Sequence, residues 1–142
     1  MKIEIYTDGA CSGNPGIGGW GAVILIDNQN PINLHGGLNA TTNNQMELTA
    51  VIKALQFFCE SKSIKIFTDS KYVMNGMNQW IENWKKNGWK TANKKPVKNK
   101  DLWVELDLAL SKHKIDWEWV KGHAGNQYNE IADSLARKFI EN

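Results

Sequence analysis

The spacing of apolar residues changes near residue 44, and this change limits the folds open to the chain. Before it, Ile3 and Ile5 alternate with polar residues, an apolar run follows at 20–26, and a weaker alternation at 32–38 continues the strand pattern. After it, apolar residues recur every three or four positions, at Leu48, Val51, Ile52, Leu55 and Cys59. Alternation predicts strands, whereas the longer spacing predicts a helical face. We therefore expect three antiparallel strands, because their connections are too short for a helical crossover, and then a helix over about 44–61.

The rest of the chain alternates strand and helix patterns. The predicted elements are a strand at 64–68, a helix at 70–84 interrupted at Gly76, a helix at 102–110, a strand at 115–120 and a helix around 131–139. A strand reached through a helix from the first three fits a parallel crossover. This order predicts an α/β fold, a five-stranded mixed sheet with helices on both faces, formed by one domain that spans residues 1–142.

The net charge of +2 hides an uneven distribution. The chain has 17 basic and 15 acidic residues, and residues 85–100 contain seven of the lysines and no acid. The remainder therefore carries 10 basic against 15 acidic residues. A basic protrusion at about 85–100 on an acidic domain suits a polyanionic partner, although a solvated loop without a partner has the same composition.

Length and composition exclude several classes of protein. A chain of 142 residues with 42% hydrophobic residues can bury a core without disulfides. Charges interrupt the apolar residues of the N-terminus, which argues against a signal peptide or a membrane span. Cys11 and Cys59 are too few for a disulfide framework or a zinc site, and we expect two free thiols. The expectation is a cytoplasmic monomer with no membrane attachment.

Four acids are candidates for a metal site. Asp8 lies at or near the end of the first predicted strand, Asp69 follows the fourth, and Glu47 and Asp133 lie in helices, Glu47 in the first turn of its own. If the two strands are parallel neighbours, Asp8 and Asp69 meet in the crevice at their carboxyl ends. Four converging carboxylates repel one another unless a cation is present, which favours Mg²⁺ or Mn²⁺.

Each acid also has a purely structural interpretation. Asp8 and Asp69 are suited to turns or helix N-caps, Glu47 has the capping-box spacing from Asn44, and Asp133 fits a solvated helix face.

Other polar segments are equally open to two interpretations. The glycine-rich residues 9–19 allow close approach to a phosphate or sugar, or form a wide hairpin loop. Residues 41–44 cap a helix or bind a phosphate at its positive end. His123, in a glycine-rich loop, is a titratable exposed imidazole or an incidental residue. Three tryptophans interleave with the lysines and either contact sugars or bases or pack on helices: Trp80, Trp84 and Trp89.

Taken together, these motifs closely resemble bacterial ribonuclease HI, the type 1 ribonuclease H family. The matching segments, in order over nearly the whole chain, are Tyr6-Thr7-Asp8-Gly9, Gly13-Asn14-Pro15-Gly16, residues 41–48, Thr68-Asp69-Ser70, Trp84-Lys85-Lys86, Val120-Lys121-Gly122-His123 and Asn129-Glu130 with Asp133. The resemblance implies an endonuclease that hydrolyses the RNA strand of RNA–DNA hybrids by two-metal-ion catalysis. Its products carry 5′-phosphate and 3′-hydroxyl ends, and its sequence specificity is low.

The resemblance also implies roles for particular residues. Asp8, Glu47, Asp69 and Asp133 coordinate two Mg²⁺ ions, for which Mn²⁺ can substitute, and His123 assists proton transfer or product departure. The expected nucleic-acid contacts are Gly9, Ala10, Cys11, Ser12, Asn14, Thr42, Asn43, Asn44, Lys71, Trp80, Lys85, Lys86, Trp89 and Lys90. Thr42, Asn43 and Asn14 match a pocket for a DNA phosphate, and Trp80 matches a residue that packs on a deoxyribose.

Two departures from the family pattern and two rival functions qualify this hypothesis. Lys71 stands where better-known members carry glutamine, so a neutral contact becomes charged, and the chain stops at Asn142, where some relatives continue. A module that binds the hybrid without cleaving it would require the loss of a metal ligand, yet all four acids are present. The basic protrusion and residues 41–44 disfavour a second rival, another nuclease or strand-transfer enzyme that acts on DNA.

Overall fold

The computed structural model describes residues 1–91, 93–121 and 126–141. Its elements are β1 (Ile3–Gly13), β2 (Gly16–Ile26), β3 (Ile32–Thr41), α1 (Asn43–Gln56), β4 (Ser63–Thr68), α2 (Lys71–Asn75), a π-helical turn (Gly76–Trp80), α3 (Ile81–Lys86), α4 (Lys100–Ser111), β5 (Lys114–Trp119) and α5 (Gln127–Glu141). Within these ranges, none of the helices has the length and apolar character needed to cross a membrane.

The strands form one mixed sheet in the order β3-β2-β1-β4-β5. β1, β2 and β3 pair antiparallel, whereas β4 pairs parallel with both β1 and β5. α1 provides the crossover from β3 to β4, as the sequence predicts. β1 is longer than its sequence pattern indicates, because the glycine-rich segment continues the β1–β2 ladder to Gly13 opposite Gly16. That segment is therefore a tight hairpin and not a wide loop.

Alternating residues of the strands send side chains to two different cores. Ile5 and Ile66 are fully buried with Leu48 of α1 and Trp103 of α4, on one face of the sheet. Tyr6, the residue after Ile5, packs on the opposite face with apolar residues of α5. The expected helices on both faces of the sheet are confirmed.

The boundaries of α1 differ from the expectation. The helix begins after Thr42, whose hydroxyl oxygen accepts a hydrogen bond from the Gln45 backbone N–H, and it ends at Gln56. Cys59 lies beyond this end and is exposed, because the chain turns there and packs Phe58 against the core. Cys11 and Cys59 are free thiols, as predicted.

The helical region after β4 continues through its glycine without ending there. α2, the π-helical turn and α3 follow one another directly, and the turn starts at Gly76. The buried ring of Trp103 occupies the space that a side chain at Gly76 would need. Because Gly76 has no side chain, the Trp103 ring packs directly against the helix.

The basic protrusion is anchored at its base. Here we call residues 85–91 and 93–100 the basic lobe. The Trp89 backbone N–H donates to the Trp84 carbonyl at 2.6 Å, and the Val97 N–H donates to the Trp89 carbonyl at 3.3 Å. A β-bridge joins Lys90 to Pro96, and Val97 is buried. The lobe is therefore attached by backbone hydrogen bonds while most of its lysines face solvent.

Candidate active site

Three carboxylates converge at the carboxyl ends of β1 and β4. One carboxylate oxygen from each of Asp8, Glu47 and Asp69 lies within 4.8 Å of the other two. The parallel register explains the first pair, since it aligns Tyr6 with Phe67 and each acid lies two residues further along. Both side chains therefore emerge on the same face of neighbouring strands. Asp69 directly follows β4, as expected, but Asp8 lies inside β1 because this strand continues into the hairpin.

Glu47 reaches the cluster because Gly9 lets α1 approach the sheet. A Cβ atom at Gly9 would lie 2.5 Å from the Glu47 backbone nitrogen, so any larger residue would push the helix away. Glu47 is the fifth residue of α1, in the second turn, and not in the first turn as expected. The capping-box interpretation is also wrong, because Thr42 caps the helix and its hydroxyl is bound by Gln45.

Asp133 approaches from the other side, where α5 packs on β2. Gly21 pairs with Asp8 across the β1–β2 ladder, and a Cβ atom at Gly21 would lie 2.5 Å from the Ala132 carbonyl oxygen. This close packing places the next residue, Asp133, in hydrogen-bonding contact with Asp8. Asp133 lies outside the group of three mutually close acids. Its Oδ2 atom lies 2.8 Å from Nη2 of Arg137.

Burial and mutual repulsion alter the acid–base properties of the cluster. Burial, a hydrogen bond with Asp133 and the charges of Asp69 and Asp133 raise the pKa of Asp8 to about 8. Burial, followed by the charges of Asp8 and Asp69, holds the pKa of Glu47 well above its ordinary range. Backbone N–H donation by Gly9 opposes both shifts. Without a cation, Asp8 therefore retains a proton at neutral pH.

The cluster has the chemistry of a divalent cation site. Oε2 of Glu47 is buried and has no hydrogen-bond partner among the residues that the structure describes. A buried charged oxygen is costly unless it is paired or bound to a metal ion. Carboxylate oxygens are hard ligands, which suit Mg²⁺ or Mn²⁺ better than softer metals. The residues present therefore fit a divalent cation that contacts Glu47 together with Asp8 and Asp69.

The β1–β2 hairpin lies beside the N-terminus of α1. Gly16 pairs with Thr41, and the Cys11 thiol donates to the Thr41 carbonyl at 3.4 Å. The hairpin turn, which contains exposed Asn14, is therefore next to Thr42 at the helix N-cap. Exposed Ser12 belongs to the same hairpin, and half-buried Ala10 and buried Gly9 lie nearer the acids. The Cys11 thiol also contacts the Gly16 carbonyl at 3.6 Å, so its side chain is engaged within the hairpin.

Two asparagines follow Thr42 at the start of α1. The side chain of Asn43 hydrogen-bonds with the Glu47 carboxylate and opposes the rise in its pKa. Asn44 is half-buried in the same turn. The helix N-terminus expected to bind a phosphate is thus connected to the acid cluster through Asn43.

A chain of hydrogen bonds that the sequence does not reveal links this helix start to the lobe. The Thr41 hydroxyl donates to Oε1 of Gln45 at 2.8 Å, and Nε2 of Gln45 donates to Oδ1 of Asn99 at 3.1 Å. Asn99 Nδ2 and Trp103 Nε1 both donate to the Tyr72 hydroxyl, at 3.0 and 2.9 Å. These partners lie up to 54 residues apart in sequence, so local pattern could not identify them.

The tryptophans near the lobe form a packed aromatic group. The ring centre of Trp84 lies 5.7 Å from that of Trp80, 6.5 Å from Trp89 and 5.4 Å from Trp103. Trp80 also contacts Tyr72 at 6.0 Å. Trp80 and Trp89 remain half-buried, so packing uses only part of each ring.

The lysines expected to bind nucleic acid differ in their surroundings. Lys85 forms an ion pair of 3.4 Å with Asp107 of α4, whereas the side chains of Lys86 and Lys90 are exposed in the lobe. Lys71, exposed at the start of α2, lines a cavity of about 230 Å³ beside Asp69, together with Lys121. His123 lies outside the described residues. Arg137 is not among the residues expected from the sequence, although its position four residues after Asp133 is the spacing of a helical ion pair.

Comparison with known proteins identifies the family. The family model for RNase H matches residues 1–141. The ribonuclease H of Bartonella bacilliformis is 62% identical over 138 residues, covering 97% of this chain and 88% of the relative. That of Francisella philomiragia is 60% identical over 139 residues, covering 98% and 91%.

Solved structures agree with the family match. LC9-RNase H1, described as a type 1 RNase H with the type 2 active-site motif, matches with a TM-score of 0.83 and 33% identity over 94% of this chain and 69% of that one. LC11-RNase H1 in complex with an RNA/DNA hybrid matches with a TM-score of 0.73 and 25% identity over 99% and 97%. The chain therefore belongs to the RNase H family, the metal-dependent nucleases that hydrolyse the RNA strand of RNA–DNA hybrids.

Proposed function

We propose that Asp8, Glu47, Asp69 and Asp133 bind two Mg²⁺ ions and that the site cleaves the RNA strand of an RNA–DNA hybrid held between the hairpin and the basic lobe. The observation that carries this proposal is the buried Oε2 atom of Glu47, which lacks a partner among the described residues. Two nearby acids with one oxygen each within 4.8 Å complete a set of hard ligands.

The proposed chemistry divides between the ions and the protein. Asp8, Glu47, Asp69 and Asp133 would hold two divalent ions, which would supply Lewis-acid stabilisation of the scissile phosphate and a lowered pKa for an attacking water. The protein's part is to hold the carboxylates in position, since the Gly9 N–H donates to Asp8 and Glu47 and the Asn43 side chain hydrogen-bonds with Glu47. His123 is proposed to assist proton transfer or product departure, and His123→Ala should lower kcat with little change in hybrid affinity.

The DNA strand is proposed to contact the N-terminus of α1. The Thr42 hydroxyl oxygen accepts from the Gln45 N–H, and no acceptor for the hydroxyl hydrogen is found among the described residues, so this hydrogen is available to a ligand. A helix N-terminus attracts phosphate through its unpaired N–H groups and dipole. Asn14 lies in the adjacent hairpin turn, and Asn44 follows in the same helical turn. Trp80 would pack on a sugar with the part of its ring that neighbouring aromatics leave exposed.

Selection of RNA requires a contact to the 2′-hydroxyl, the group that distinguishes the two sugars. The proposed contacts are Glu47 and the β1 backbone from Gly9 to Ser12. Parallel pairing of β1 with β4 extends only to Tyr6 opposite Phe67, so the later part of β1 has one strand edge turned toward the site. Contacts to sugars and phosphates carry little base information, which accounts for low sequence specificity.

Lobe lysines and Lys71 complete the proposed hybrid path. Exposed Lys86 and Lys90 are available for phosphate contacts, with Lys85 and half-buried Trp89 at the base of the lobe. Lys71, which lies beside Asp69, would give a charged contact to the nucleic acid. We further propose that the protein is a single-domain monomer and that it acts in the cytoplasm. Size-exclusion chromatography with light scattering tests its oligomeric state.

The decisive experiment follows cleavage of an end-labelled RNA–DNA hybrid with and without Mg²⁺. We expect cleavage of the RNA strand alone, 5′-phosphate and 3′-hydroxyl ends, and no cleavage of matched duplex DNA. Glu47→Gln should abolish activity, while Glu60→Gln, which removes an exposed acid outside the site, should not. Equal activity of Glu47→Gln and wild type would refute the proposed ligand set, and cleavage of duplex DNA would favour the rival DNA nuclease.

A further inference from the structure

Arg137 lies one helical turn after Asp133 on α5 and contacts its carboxylate directly. Nη2 of Arg137 and Oδ2 of Asp133 are 2.8 Å apart, the distance of a short charge-assisted hydrogen bond. The two side chains are 53% and 29% exposed. The pair is thus reachable by solvent and by ions, and it forms part of the rim of the acid cluster.

Asp133 is engaged on two sides. Its Oδ2 atom faces Arg137, and its carboxylate also hydrogen-bonds with Asp8 inside the site. A divalent ion that binds Asp133 must share or displace these contacts. The guanidinium group of Arg137 carries a positive charge, so it attracts the Asp133 carboxylate and repels a metal ion.

We infer that Arg137 is a positioning residue that competes with the divalent cation for Asp133 and so raises the metal concentration needed to fill the Asp133 side of the site. This inference rests on the proposed function, in which Asp133 is a ligand. Arg137, the more exposed partner of the pair, thus changes metal affinity through its contact with the Asp133 carboxylate.

The expected size of the effect follows from the exposure of the pair. A solvent-exposed ion pair contributes modestly, so its removal should tighten Asp133-dependent metal binding by about two- to five-fold. Arg137→Lys keeps the charge on a flexible chain and should bind metal nearly as wild type does. Lys138→Gln removes the same charge from the next, exposed residue of α5 and should leave metal affinity unchanged.

The test measures Mn²⁺ binding to the free protein by isothermal titration calorimetry at constant ionic strength. Wild type is compared with Arg137→Gln, Arg137→Lys, Lys138→Gln, Asp133→Asn and the double variant Asp133→Asn/Arg137→Gln. The Mg²⁺ concentration for half-maximal hybrid cleavage gives a second readout. We expect tighter binding and a lower half-maximal concentration only in Arg137→Gln, and no tightening when Asp133 is already replaced.

The outcomes separate the inference from the proposed site. If Asp133→Asn weakens Mn²⁺ binding but Arg137→Gln does not strengthen it, the inference is overturned and the proposed ligand set stands. An equal shift in Lys138→Gln would reduce the effect to net charge and also overturn the inference. If Asp133→Asn leaves binding unchanged, Asp133 is not a ligand, and the proposed site and the inference fail together.

Discussion

The acid cluster and the basic lobe carry opposite charges and are built in opposite ways. Asp8 and Glu47 are 4% and 7% exposed, and close packing of two helices on glycines holds them in place. Lys86 and Lys90 are exposed on a segment attached by a few backbone hydrogen bonds. Burial and mutual repulsion thus make ionised carboxylates unfavourable in the cluster until a cation binds, whereas the lobe lysines remain hydrated. This difference predicts that the cluster governs chemistry and metal-linked stability, while the lobe governs affinity.

The largest expected effect comes from neutralising one cluster acid. Asp8→Asn keeps the shape of the side chain but removes a proposed ligand charge, and it should lower cleavage by about 10³-fold or more, since metal stabilisation of the transition state is worth several kcal/mol. The same change relieves repulsion and should raise the melting temperature of the metal-free protein.

Asp116→Asn is the matched control, because it removes an exposed acid from β5. It should change neither the cleavage rate nor the melting temperature of the metal-free protein. If Asp8→Asn cuts hybrid at the wild-type rate, the contrast between a catalytic cluster and a binding lobe is wrong.

The second prediction tests whether close packing positions the cluster. Gly9→Ala places a methyl group 2.5 Å from the Glu47 backbone nitrogen, so α1 must shift. We expect a loss of about 1–3 kcal/mol in the free energy of unfolding, as overpacking typically gives, together with a large fall in kcat. Urea denaturation and single-turnover cleavage measure the two effects. A variant that is destabilised but fully active would show that Glu47 does not need this position.

The third prediction concerns pH and the metal-free protein. The pKa of Asp8 is about 8 in the folded state against an ordinary value of 3.8, so the folded protein holds a proton that the unfolded chain has lost. A raised pKa stabilises the fold at low pH, and this contribution disappears as pH rises through 8. Stability should therefore fall between pH 5 and pH 8, by at most about 1.4 kcal/mol per pH unit for one proton.

Urea denaturation across this pH range tests that slope. Saturating Mg²⁺ should remove most of it, because bound cations favour the ionised carboxylates, and Asp8→Asn should flatten it without metal. If the free energy of unfolding depends on pH in the same way in wild type and Asp8→Asn, groups other than Asp8 cause the pH dependence.

The comparison also explains which parts of the molecule the sequence could predict. The placement of Asp69 followed from strand periodicity, and the lysine cluster was visible as composition. The residue-by-residue geometry of the cluster was not predictable, because Gly9 and Gly21 act through helices that are distant in sequence. For the same reason the link through Asn99, held at a positive φ of 60° before α4, had no local signal.

The last and smallest effect concerns the lobe, whose lysines do not contribute equally. Lys85 is partly neutralised by Asp107, so Lys85→Gln should weaken hybrid binding less than Lys86→Gln or Lys90→Gln. Each lost phosphate contact should reduce the slope of log affinity against log salt by roughly 0.7–0.9, so the Lys86→Gln/Lys90→Gln double variant should lose about twice that amount.

Fluorescence anisotropy of a labelled hybrid across a salt series measures the affinity, with Lys112→Gln as a control that removes an exposed charge outside the lobe. In steady-state cleavage, KM should rise more than kcat falls, because the lobe lysines and the acids belong to separate parts of the structure. The loss should be similar for hybrids of different sequence, since phosphate contacts do not read bases. An unchanged salt slope would make the lobe a solvated surface without a partner. A collapse of kcat at saturating hybrid would instead mean that the lobe aligns the scissile phosphate, and the separation between a region for binding and a region for chemistry would then fail.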